Sequence, residues 1–404
     1  MAGPLDGIRV LTVEGGLAGP YGSMILGDLG AEVIKIEPPG GTRERSGGGP
    51  SFKGELAYTL FSNRNKKGIV LDLMTETGLE AFYELVKVSD VVWDNNRAGV
   101  MQRLRADYDT LRQVNPKIIC CSITGYGSSG PYATWPSYDI IAQGMTGLLL
   151  QTGQPGGPPI KPAPALADLS GSIFGALGVI SALVYRERTG EGQKVEVNLL
   201  DGAMTFLAMH YAMYFLSGVV PPPAGAGHLG VAPFGAYRTK DGWITIGVSW
   251  PRVARTLGIE WTIDDPRFAA ADDRLKNRYE LDAIMTEALS QNDSETWLEM
   301  LRADDIAAGP VYNLDQALQD PQIQHNKIIL TMEHVLGGQI KLVGNPIKMP
   351  IIHPEEYTSP PIVGQHTHQV FSELLGYNEE KIQKLEEEQE KHLAELQAHY
   401  HRKR

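Results

Sequence analysis

The sequence predicts a large α/β domain with a doubly wound parallel sheet, together with a smaller α+β domain. Three observations support this prediction. Strand-like apolar runs alternate with helical segments in the first part of the chain, which is the pattern of βαβ units. The chain has 404 residues, more than most single domains contain. From about residue 232 a β-hairpin and a series of helices replace the alternation, which indicates a second architecture.

The large domain begins with a βαβ unit. A strand at residues 8–13 is followed by a glycine-rich turn, a helix at 21–29 and a strand at 31–37, and the two strands are expected to be parallel. The alternation then continues with strands at 69–73, 90–93, 118–123 and 194–199 and with helices at 77–88, 99–113 and 171–187. In such a Rossmann-like arrangement, ligands bind in loops at the carboxyl ends of the strands.

The remaining segments define the predicted domain boundaries. A helix at 201–217 precedes the Pro/Gly-rich stretch 221–227, a linker or mobile loop. Strands at 234–238 and 243–248 form a hairpin, and helical segments follow to about 319. Residues 328–334 and 339–343 form a second hairpin, and the charged residues 379–404 form a helix that is solvated or packed against a partner. We therefore predict that 1–220 belong to the large domain, 221–325 to the small domain with its linker and glycine-rich loop, and 326–404 to a return to the large domain with a C-terminal helical tail.

Composition excludes several classes of protein. The residues are 42% hydrophobic and 21% charged, as in ordinary soluble proteins, and a net charge of -12 argues against general nucleic-acid binding. The apolar runs are shorter than the roughly 18 to 20 residues of a membrane span, and the N-terminus does not resemble a signal peptide, so we expect a cytoplasmic protein without a membrane segment. Cys120 and Cys121 are neighbours on a predicted strand and are expected to be buried thiols.

The first βα turn, residues 14–22, imitates a dinucleotide-binding turn, with Glu37 near the position of a ribose-binding acid. Its glycines follow a Gly-x-x-x-Gly-x-x-Gly spacing, and Pro20 removes an amide that would hold a pyrophosphate. We interpret it as a structural turn or as a site for a different nucleotide-like ligand. Walker A, His-Glu-x-x-His and Cys-x-x-Cys motifs are absent from the sequence, so no metal is expected.

Asp168 lies at the start of an apolar, glycine-rich helix. From the residues alone, its carboxylate is either a helix cap or first-turn acid, or a nucleophile. The glycines at 171, 175 and 178 lower helix propensity, which is compensated by close packing or by room for a ligand.

Basic residues cluster at two places. One cluster, residues 63–67, directly precedes a strand, and Arg97 and Arg103 follow the strand at 90–93. Both clusters lie beside strand ends, so they either hold phosphates or are solvent-exposed charges.

Short motifs, in the same order and along nearly the whole chain, match those of one family. They lie at residues 17–20, 27–37, 63–67, 71–73, 122–131, 138–139, 167–168, 187–193, 241–242, 265–268 and 364–367. On these motifs the chain resembles the class III CoA-transferases, which include formyl-CoA transferase, carnitine CoA-transferase and the α-methylacyl-CoA racemases.

The resemblance implies an interlocked, ring-like homodimer, with the acyl-CoA site between the large domain of one chain and the small domain of the other. It identifies Asp168 with the catalytic aspartate, which attacks a thioester to form an anhydride and is then converted into an aspartyl-CoA thioester. Acyl-CoA and a carboxylic acid are the implied substrates, and no permanently bound cofactor is implied.

The resemblance also implies CoA contacts, and the chain departs from the family at some of them. The implied CoA-binding residues are Leu17, Ala18, Lys66, Leu71, Asp72, Asn95, Arg103 and Tyr138. Asn96 replaces an aromatic residue, and Pro38 and Met74 stand where some members have arginine and lysine. Arg43 or Arg45 would then supply the missing phosphate contact.

Two further features bear on the reaction. A mobile glycine-rich loop, with Gly225, Gly227 and Gly230, is implied to cover the intermediates. The racemase branch has a histidine before an aspartate where this chain has Tyr138 and Asp139, and tyrosine is a poor acid/base replacement for histidine. We therefore expect a CoA-transferase, with succinate or other dicarboxylates as substrates. The alternatives are an α-methylacyl-CoA racemase or epimerase and a catalytically silent CoA-binding scaffold.

Overall fold

The structure, a computed structural model, describes residues 3–402. Its strands are β1 (Arg9–Val13), β2 (Glu32–Glu37), β3 (Ser51–Phe52), β4 (Glu55–Leu56), β5 (Lys66–Val70), β6 (Val91–Asp94), β7 (Ile119–Thr124), β8 (Lys194–Asn198), β9 (Gly235–Arg238), β10 (Trp243–Ile246), β11 (Ala308–Pro310), β12 (Ile329–Glu333) and β13 (Gln339–Val343). Its α-helices are α1 (Ala18–Asp28), α2 (Ala57–Leu60), α3 (Glu76–Lys87), α4 (Val100–Arg103), α5 (Tyr108–Val114), α6 (Asp139–Met145), α7 (Leu148–Gln151), α8 (Leu166–Thr189), α9 (Leu199–Phe206), α10 (Ala208–Ser217), α11 (Arg252–Thr256), α12 (Ala271–Lys276), α13 (Arg278–Leu289), α14 (Ser294–Ala303), α15 (Leu314–Gln319), α16 (Pro321–His325), α17 (Thr367–Leu375) and α18 (Glu379–Arg402). Short 3-10 helices lie at Arg43–Ser46, Glu260–Thr262 and Pro354–Glu356.

Six strands form one sheet in the order β5-β2-β1-β6-β7-β8, and every neighbouring pair is parallel. Counted along the chain, this is the order 3-2-1-4-5-6 of doubly wound nucleotide-binding folds. The prediction of a Rossmann-like parallel sheet is therefore confirmed. The strand order reverses between β1 and β6, which opens a crevice at their carboxyl ends.

Helices cover the sheet on both faces. Consecutive β1 residues show this, since Val10 packs in one hydrophobic cluster with residues of α1 and α8, and Leu11 packs in another with residues of α3, α17 and α18. The predicted buried thiols follow the same rule, because Cys120 and Cys121 belong to opposite clusters. Burial on both faces explains why the inner strands β1, β2, β6 and β7 read as continuous apolar runs in the sequence.

The glycines of α1 and α8 allow these helices to pack closely over Trp93. A Cβ atom on Gly22 would lie 2.5 Å from the Trp93 ring, and one on Gly175 would lie 2.7 Å from it. The indole nitrogen of Trp93 also donates to the carbonyl of Gly19 at 3.1 Å. Of the two explanations left open by the sequence, close packing accounts for Gly175.

Several predicted elements differ from the observed ones. Helix α8 begins at Leu166, five residues before the predicted start at 171, so Asp168 lies inside the helix. The predicted helix at 201–217 is two helices, α9 and α10, and the predicted helix at 99–113 is also two, α4 and α5. The charged C-terminal helix is not solvated all round, because Ile382 and Leu385 are buried in the same cluster as α3 residues.

The chain divides into two compact units. The first contains the six-stranded sheet and comprises the residues up to 146, 163–207 and the residues from 327 onward. The second comprises 147–162 and 208–326, so the boundary near 207 precedes the predicted one at 220. In the second unit β9, β10 and β11 form an antiparallel sheet, and α13 and α14 contribute to a core that contains Tyr237, Ile244 and Leu298.

Within the described residues, α8 is long and apolar enough to cross a membrane by length and composition. The expectation that no segment reaches this length is thus wrong for α8. Half of its apolar window is buried inside the protein, as is usual for a core helix.

Candidate active site

The candidate site lies where the sheet order reverses, at the carboxyl ends of β1 and β6. The two loops that follow these strands are joined through the side-chain amide of Asn95. It accepts from the backbone nitrogen of Gly15 at 3.0 Å and donates to the Gly15 carbonyl at 2.7 Å. A Cβ on Gly19 would lie 2.6 Å from the Asn95 side-chain oxygen, so glycine is needed for this approach.

An open cleft of about 570 Å³ lies over these loops. It brings together six residues predicted from the sequence, namely Leu17, Ala18, Asn95, Arg103, Tyr138 and Asp168. It also contains residues that the sequence analysis did not assign to the site, among them Tyr58, Trp135 and Ser137. The cleft is formed entirely within the first unit.

Asp168 is a first-turn acid of α8, and another carboxylate caps the helix. Asp139 accepts from the backbone nitrogen of Ala167 at 2.9 Å and lies 3.5 Å from that of Asp168. Asp139 is itself buried, and Gln143 donates to its second oxygen at 2.7 Å. The half-buried Asp168 side chain therefore lines the cleft while Asp139 takes the cap position.

The backbone at Asp168 is tied to α1. The Ser172 hydroxyl lies 2.8 Å from the Ala18 carbonyl and 3.0 Å from the Asp168 carbonyl, and it donates to these acceptors. Because Ala18 also lines the cleft, this bridge fixes the nucleophile candidate relative to the opposite wall.

The charge on the two sides of the cleft differs. Burial, and next the charge of Asp168, raise the pKa of Tyr58, and Glu44 and Asp139 add to this effect. The environment of Tyr58 is therefore acidic. Arg97 and Arg103, by contrast, are exposed and form no ion pair with any residue in the range 3–402. They are available for an anionic ligand.

The structure does not place Lys66 in this cleft. Its ammonium is fully buried and lies 2.8 Å from a Glu14 carboxylate oxygen, 2.8 Å from the Pro20 carbonyl and 3.0 Å from the Asn63 side-chain oxygen. Burial lowers the pKa of Lys66 to about 8, although Glu14 opposes the shift. Lys66 therefore supports the β1–α1 turn from behind, and its contact with CoA stays a prediction.

The rest of the 63–67 cluster is also internal. Arg64 donates to both oxygens of Asp28, at 2.9 and 2.5 Å, and Asn65 donates to one of them at 2.7 Å. Arg64 is 1% exposed, so it is closed to a phosphate. The interpretation of this cluster as a phosphate site is wrong for Arg64, because its guanidinium is already paired with the carboxylate of Asp28 at the end of α1.

Leu71 and Asp72 line a second pocket of about 410 Å³, which shares Gly15 and Asn96 with the cleft. Asp72 is held by the C-terminal helix. Its carboxylate lies 2.6 Å from His392, and its backbone nitrogen donates to Gln389 at 2.7 Å. These two predicted residues therefore lie next to the cleft, in a pocket of their own.

The two arginines proposed to replace a missing CoA contact differ. Arg45 donates to both oxygens of Glu37, at 2.7 and 2.8 Å, and to Glu55 at 2.8 Å. Arg43 is exposed, lines the second pocket and forms no ion pair within residues 3–402. Arg43 is thus the one that can accept a new anionic partner.

The environment of Glu37 bears on the dinucleotide-like turn. Burial acts to raise the pKa of Glu37, but Arg45 and Lys35 outweigh it and the pKa is lowered. The side chain is fully buried and paired, so it is closed to a ribose. The turn at residues 14–22 therefore lacks the free acidic residue that a dinucleotide site uses to bind the ribose.

The predicted glycine-rich loop lies in the second unit. Gly225 donates to the Gly153 carbonyl at 2.9 Å, and Gly230 donates to the His228 ring at 3.0 Å. The role of Gly225, Gly227 and Gly230 as a mobile cover stays a prediction.

An aromatic pair is the main feature of the cleft that sequence reasoning missed. Trp135 lines the cleft and its ring centroid is 4.3 Å from that of Tyr132, and the two side chains are 53% and 37% exposed. The two rings are tilted by 35° to each other, and such an exposed aromatic pair offers a face for a planar ligand group. The available signal was the aromatic density of residues 126–138 in a loop that follows a buried strand.

Comparison with known proteins gives a consistent result. The chain matches the sequence profile of CoA-transferase family III over residues 5–367. It is 35% identical over 387 residues to succinyl-CoA:glutarate CoA-transferase of Mus musculus, which covers 95% of this chain and 89% of that protein. It is 36% identical over 384 residues to succinate-glutarate CoA-transferase of Agrobacterium fabrum, covering 92% and 96% respectively. The crystal structure of a CaiB/BaiF family protein from Brucella suis superposes with a TM-score of 0.82 at 32% identity, covering 93% of this chain and 100% of that chain.

Proposed function

Since the chain belongs to CoA-transferase family III and is a CoA-transferase, we propose that it moves CoA from an acyl-CoA to a free carboxylic acid with Asp168 as the nucleophile. The observation that supports this role most directly is the position of Asp168. It lies in the first turn of α8, on the wall of a cleft, while Asp139 takes the helix cap.

The proposed reaction proceeds through covalent intermediates. The Asp168 carboxylate attacks the thioester carbonyl and the C–S bond breaks, which forms a mixed anhydride between Asp168 and the acyl group and releases CoA as the thiolate. The thiolate then attacks the aspartyl carbonyl, which releases the donor acid and forms an aspartyl-CoA thioester. The acceptor carboxylate attacks this thioester to give a second anhydride and thiolate. The thiolate finally attacks the acyl carbonyl, which releases the new acyl-CoA and regenerates Asp168.

The cleft provides contacts for CoA along its length. Leu17 and Ala18 form an apolar wall suited to the pantetheine chain, with Asn95 and Tyr138 beside it. Arg97 and Arg103 are suited to phosphates, because both are exposed and unpaired among the described residues. Leu71, Asp72 and Arg43 extend this surface into the second pocket.

We propose dicarboxylic acids as substrates. Both relatives named above carry names with glutarate as one acid, and succinyl-CoA or succinate as the other. Each of these acids has a second carboxylate that stays unreacted during the transfer.

We also propose that the chain forms the interlocked homodimer that the resemblance implies. Each unit exposes large apolar side chains, with Leu177 57% exposed on α8 of the first unit and Leu216 90% exposed on α10 of the second. Soluble monomers rarely leave such groups of apolar side chains open to water. A mass in solution near twice 44.1 kDa supports the dimer, and a mass of 44.1 kDa at micromolar concentration contradicts it.

Asp168→Ala tests the nucleophile. We expect the variant to keep its fold and its affinity for CoA and to lose at least about 1,000-fold in exchange between succinyl-CoA and labelled glutarate, because no covalent intermediate forms. The wild type incubated with succinyl-CoA should gain an adduct on the peptide that contains Asp168, and hydroxylamine should remove it.

Asp201→Ala is the matched control, because Asp201 is also a first-turn acid, on the next helix, and is exposed outside the cleft. It should retain activity. Full exchange activity in Asp168→Ala would disprove the proposed role, and α-proton exchange into deuterated solvent without any acceptor acid would favour the racemase alternative.

A further inference from the structure

The C-terminal helix α18 makes polar contacts with the turn that joins β5 to α3, within the first unit. Gln389 accepts through its side-chain oxygen from the backbone nitrogen of Asp72 at 2.7 Å, although it lies 317 positions later in the chain. His392 Nδ1 lies 2.6 Å from Oδ2 of the same aspartate, across 320 positions. The Thr77 hydroxyl also donates to Glu388 at 2.9 Å. The helix therefore holds both the backbone and the carboxylate of Asp72.

Apolar side chains anchor α18 separately from these polar contacts. Ile382 and Leu385 are buried in the same cluster as residues of α3. Their spacing of three or four residues to Gln389 and His392 places all of them on one face of the helix. Because the apolar anchor lies before the polar contacts, a substitution at His392 can remove a contact with the turn and leave α18 in place.

The conformation of the turn depends on Asp72. Its Oδ1 accepts from the backbone nitrogen of Met74 at 2.9 Å, and its carbonyl accepts from the Thr75 hydroxyl at 3.0 Å. Thr75 in turn caps α3. Asp72 is 6% exposed, and a buried carboxylate is tolerated only with partners for its oxygens. The contact from His392 supplies the partner for Oδ2.

The same turn is a wall of the second pocket. Residues 71–74 line this pocket of about 410 Å³, which shares Gly15 and Asn96 with the cleft, whereas Asp168 lines the cleft. CoA carries its thioester at one end and its nucleotide at the other. When the thioester lies at Asp168, the second pocket is therefore suited to the far, nucleotide end of the molecule.

The side chains of the second pocket fit that end. Apolar side chains, among them Val13, Ile36 and Leu104, offer walls for a planar base. Arg43 belongs to the same lining and is exposed, so its guanidinium is suited to a phosphate. A shift of the turn would change the shape of this pocket and leave the Asp168 end of the cleft unaltered.

We propose that α18 takes part in acyl-CoA binding, with Gln389 and His392 as positioning residues that hold the turn 71–74 in the form that receives the nucleotide end of CoA. This inference rests on the proposed function and deepens it. It assigns part of the affinity for acyl-CoA to a helix that lies outside the lining of the cleft.

The test compares two donors that differ only in the nucleotide. With glutarate as acceptor, KM and kcat are measured for succinyl-CoA and for succinyl-pantetheine, in the wild type and in His392→Ala. We expect the variant to raise KM for succinyl-CoA roughly 10-fold, because one contact that fixes the turn is lost, and to leave kcat and the KM for succinyl-pantetheine nearly unchanged. His392→Asn should restore most of the affinity, since its amide nitrogen can donate to Asp72.

Gln383→Ala is the matched control on the same helix. Gln383 is exposed and donates to Glu387 of α18 itself at 3.0 Å, so this variant should keep both KM values. Gln389→Ala is the independent second variant and should repeat the effect of His392→Ala. Urea denaturation of each variant checks that the fold is retained.

Three results overturn the proposal: a wild-type KM for succinyl-CoA in both His392→Ala and Gln389→Ala, an equal rise in KM for the two donors, or equal KM values of the wild type for them. Failure of the proposed function has a different signature, because the wild type would then transfer from neither donor. Direct titration with CoA and with pantetheine still tests α18 in that case, and His392→Ala should weaken the binding of CoA alone.

Discussion

The two basic clusters of this chain have similar residues and opposite environments. The inner cluster, Arg64 and Lys66, is buried and paired with Asp28 and Glu14. The cleft cluster, Arg97 and Arg103, is exposed and has no ion pair within the described range. The inner cluster lies at the start of β5, and the cleft cluster lies in the segment that follows β6. In a parallel sheet, only the loops at the carboxyl ends of the strands face the ligand crevice. A basic cluster next to a strand therefore predicts a ligand site only if it follows the strand.

The largest effect is expected from breaking the inner cluster. Arg64→Met should lower the free energy of unfolding by about 3 to 5 kcal/mol, because Asp28 then stays buried without its ion-pair partner. Urea denaturation at neutral pH measures this. Arg103→Met, in the cleft cluster, serves as the control and should change stability by less than about 0.5 kcal/mol. Equal free energies of unfolding for Arg64→Met and Arg103→Met would contradict the view that only the inner cluster stabilises the fold.

Asp94 sharpens the comparison, because it is a buried charge directly beneath the cleft loop. Burial raises its pKa to about 6, against hydrogen bonds from Ser122 at 2.6 Å and from the Asn96 nitrogen at 2.9 Å. A carboxyl whose pKa is higher in the folded protein stabilises the fold below its unfolded pKa of 3.8 and loses that contribution as the pH rises through about 6.

We therefore expect the stability of the wild type, relative to Asp94→Asn, to fall between pH 4 and 6 by at most about 3 kcal/mol. This follows from 6 minus 3.8, or 2.2 pH units, at about 1.36 kcal/mol each. Urea denaturation at pH 4, 5, 6 and 7 gives the difference curve. A difference that does not vary with pH would show that Asp94 keeps its ordinary pKa.

The smallest effect is expected in the cleft cluster. Arg103→Ala should raise KM for succinyl-CoA roughly 10-fold and leave kcat and stability nearly unchanged, because one charge-assisted phosphate contact is lost from substrate binding alone. The KM of the variant should also depend less on salt than that of the wild type. Initial rates at 50 and 300 mM salt measure both effects. A variant with wild-type KM and salt dependence would place the phosphates elsewhere.

The inner strands β1, β2, β6 and β7 were predictable because they are buried on both faces and therefore read as apolar runs. The start of α8 was not, because Asp139 caps it from 28 positions away in the chain and no local cap residue marks it. The burial of Lys66 against Glu14 could not be predicted for the same reason, since Glu14 lies 52 positions before it in the chain. Contacts over such distances follow from how the helices pack, and local sequence does not encode them.

The candidate site shows the same division. Family motifs identified Asp168, Leu17, Ala18, Asn95, Arg103 and Tyr138, and all of them line one cleft. The motifs also included Lys66, because a motif records which residues recur and not which way they point. Trp135 and Tyr58 lie outside those motifs and were visible only once distant segments were placed together.

The sequence by itself determined the parallel α/β sheet, the family and the residues from which the site is built, because apolar periodicity and ordered motifs are local properties of the chain. The tertiary structure decided which charges are internal and which face a ligand. It paired Arg64 with Asp28 and Lys66 with Glu14, and it left Arg103 exposed. The physical reason is that a buried charge is tolerated only where packing brings a partner to it, and the partner is supplied by another part of the fold.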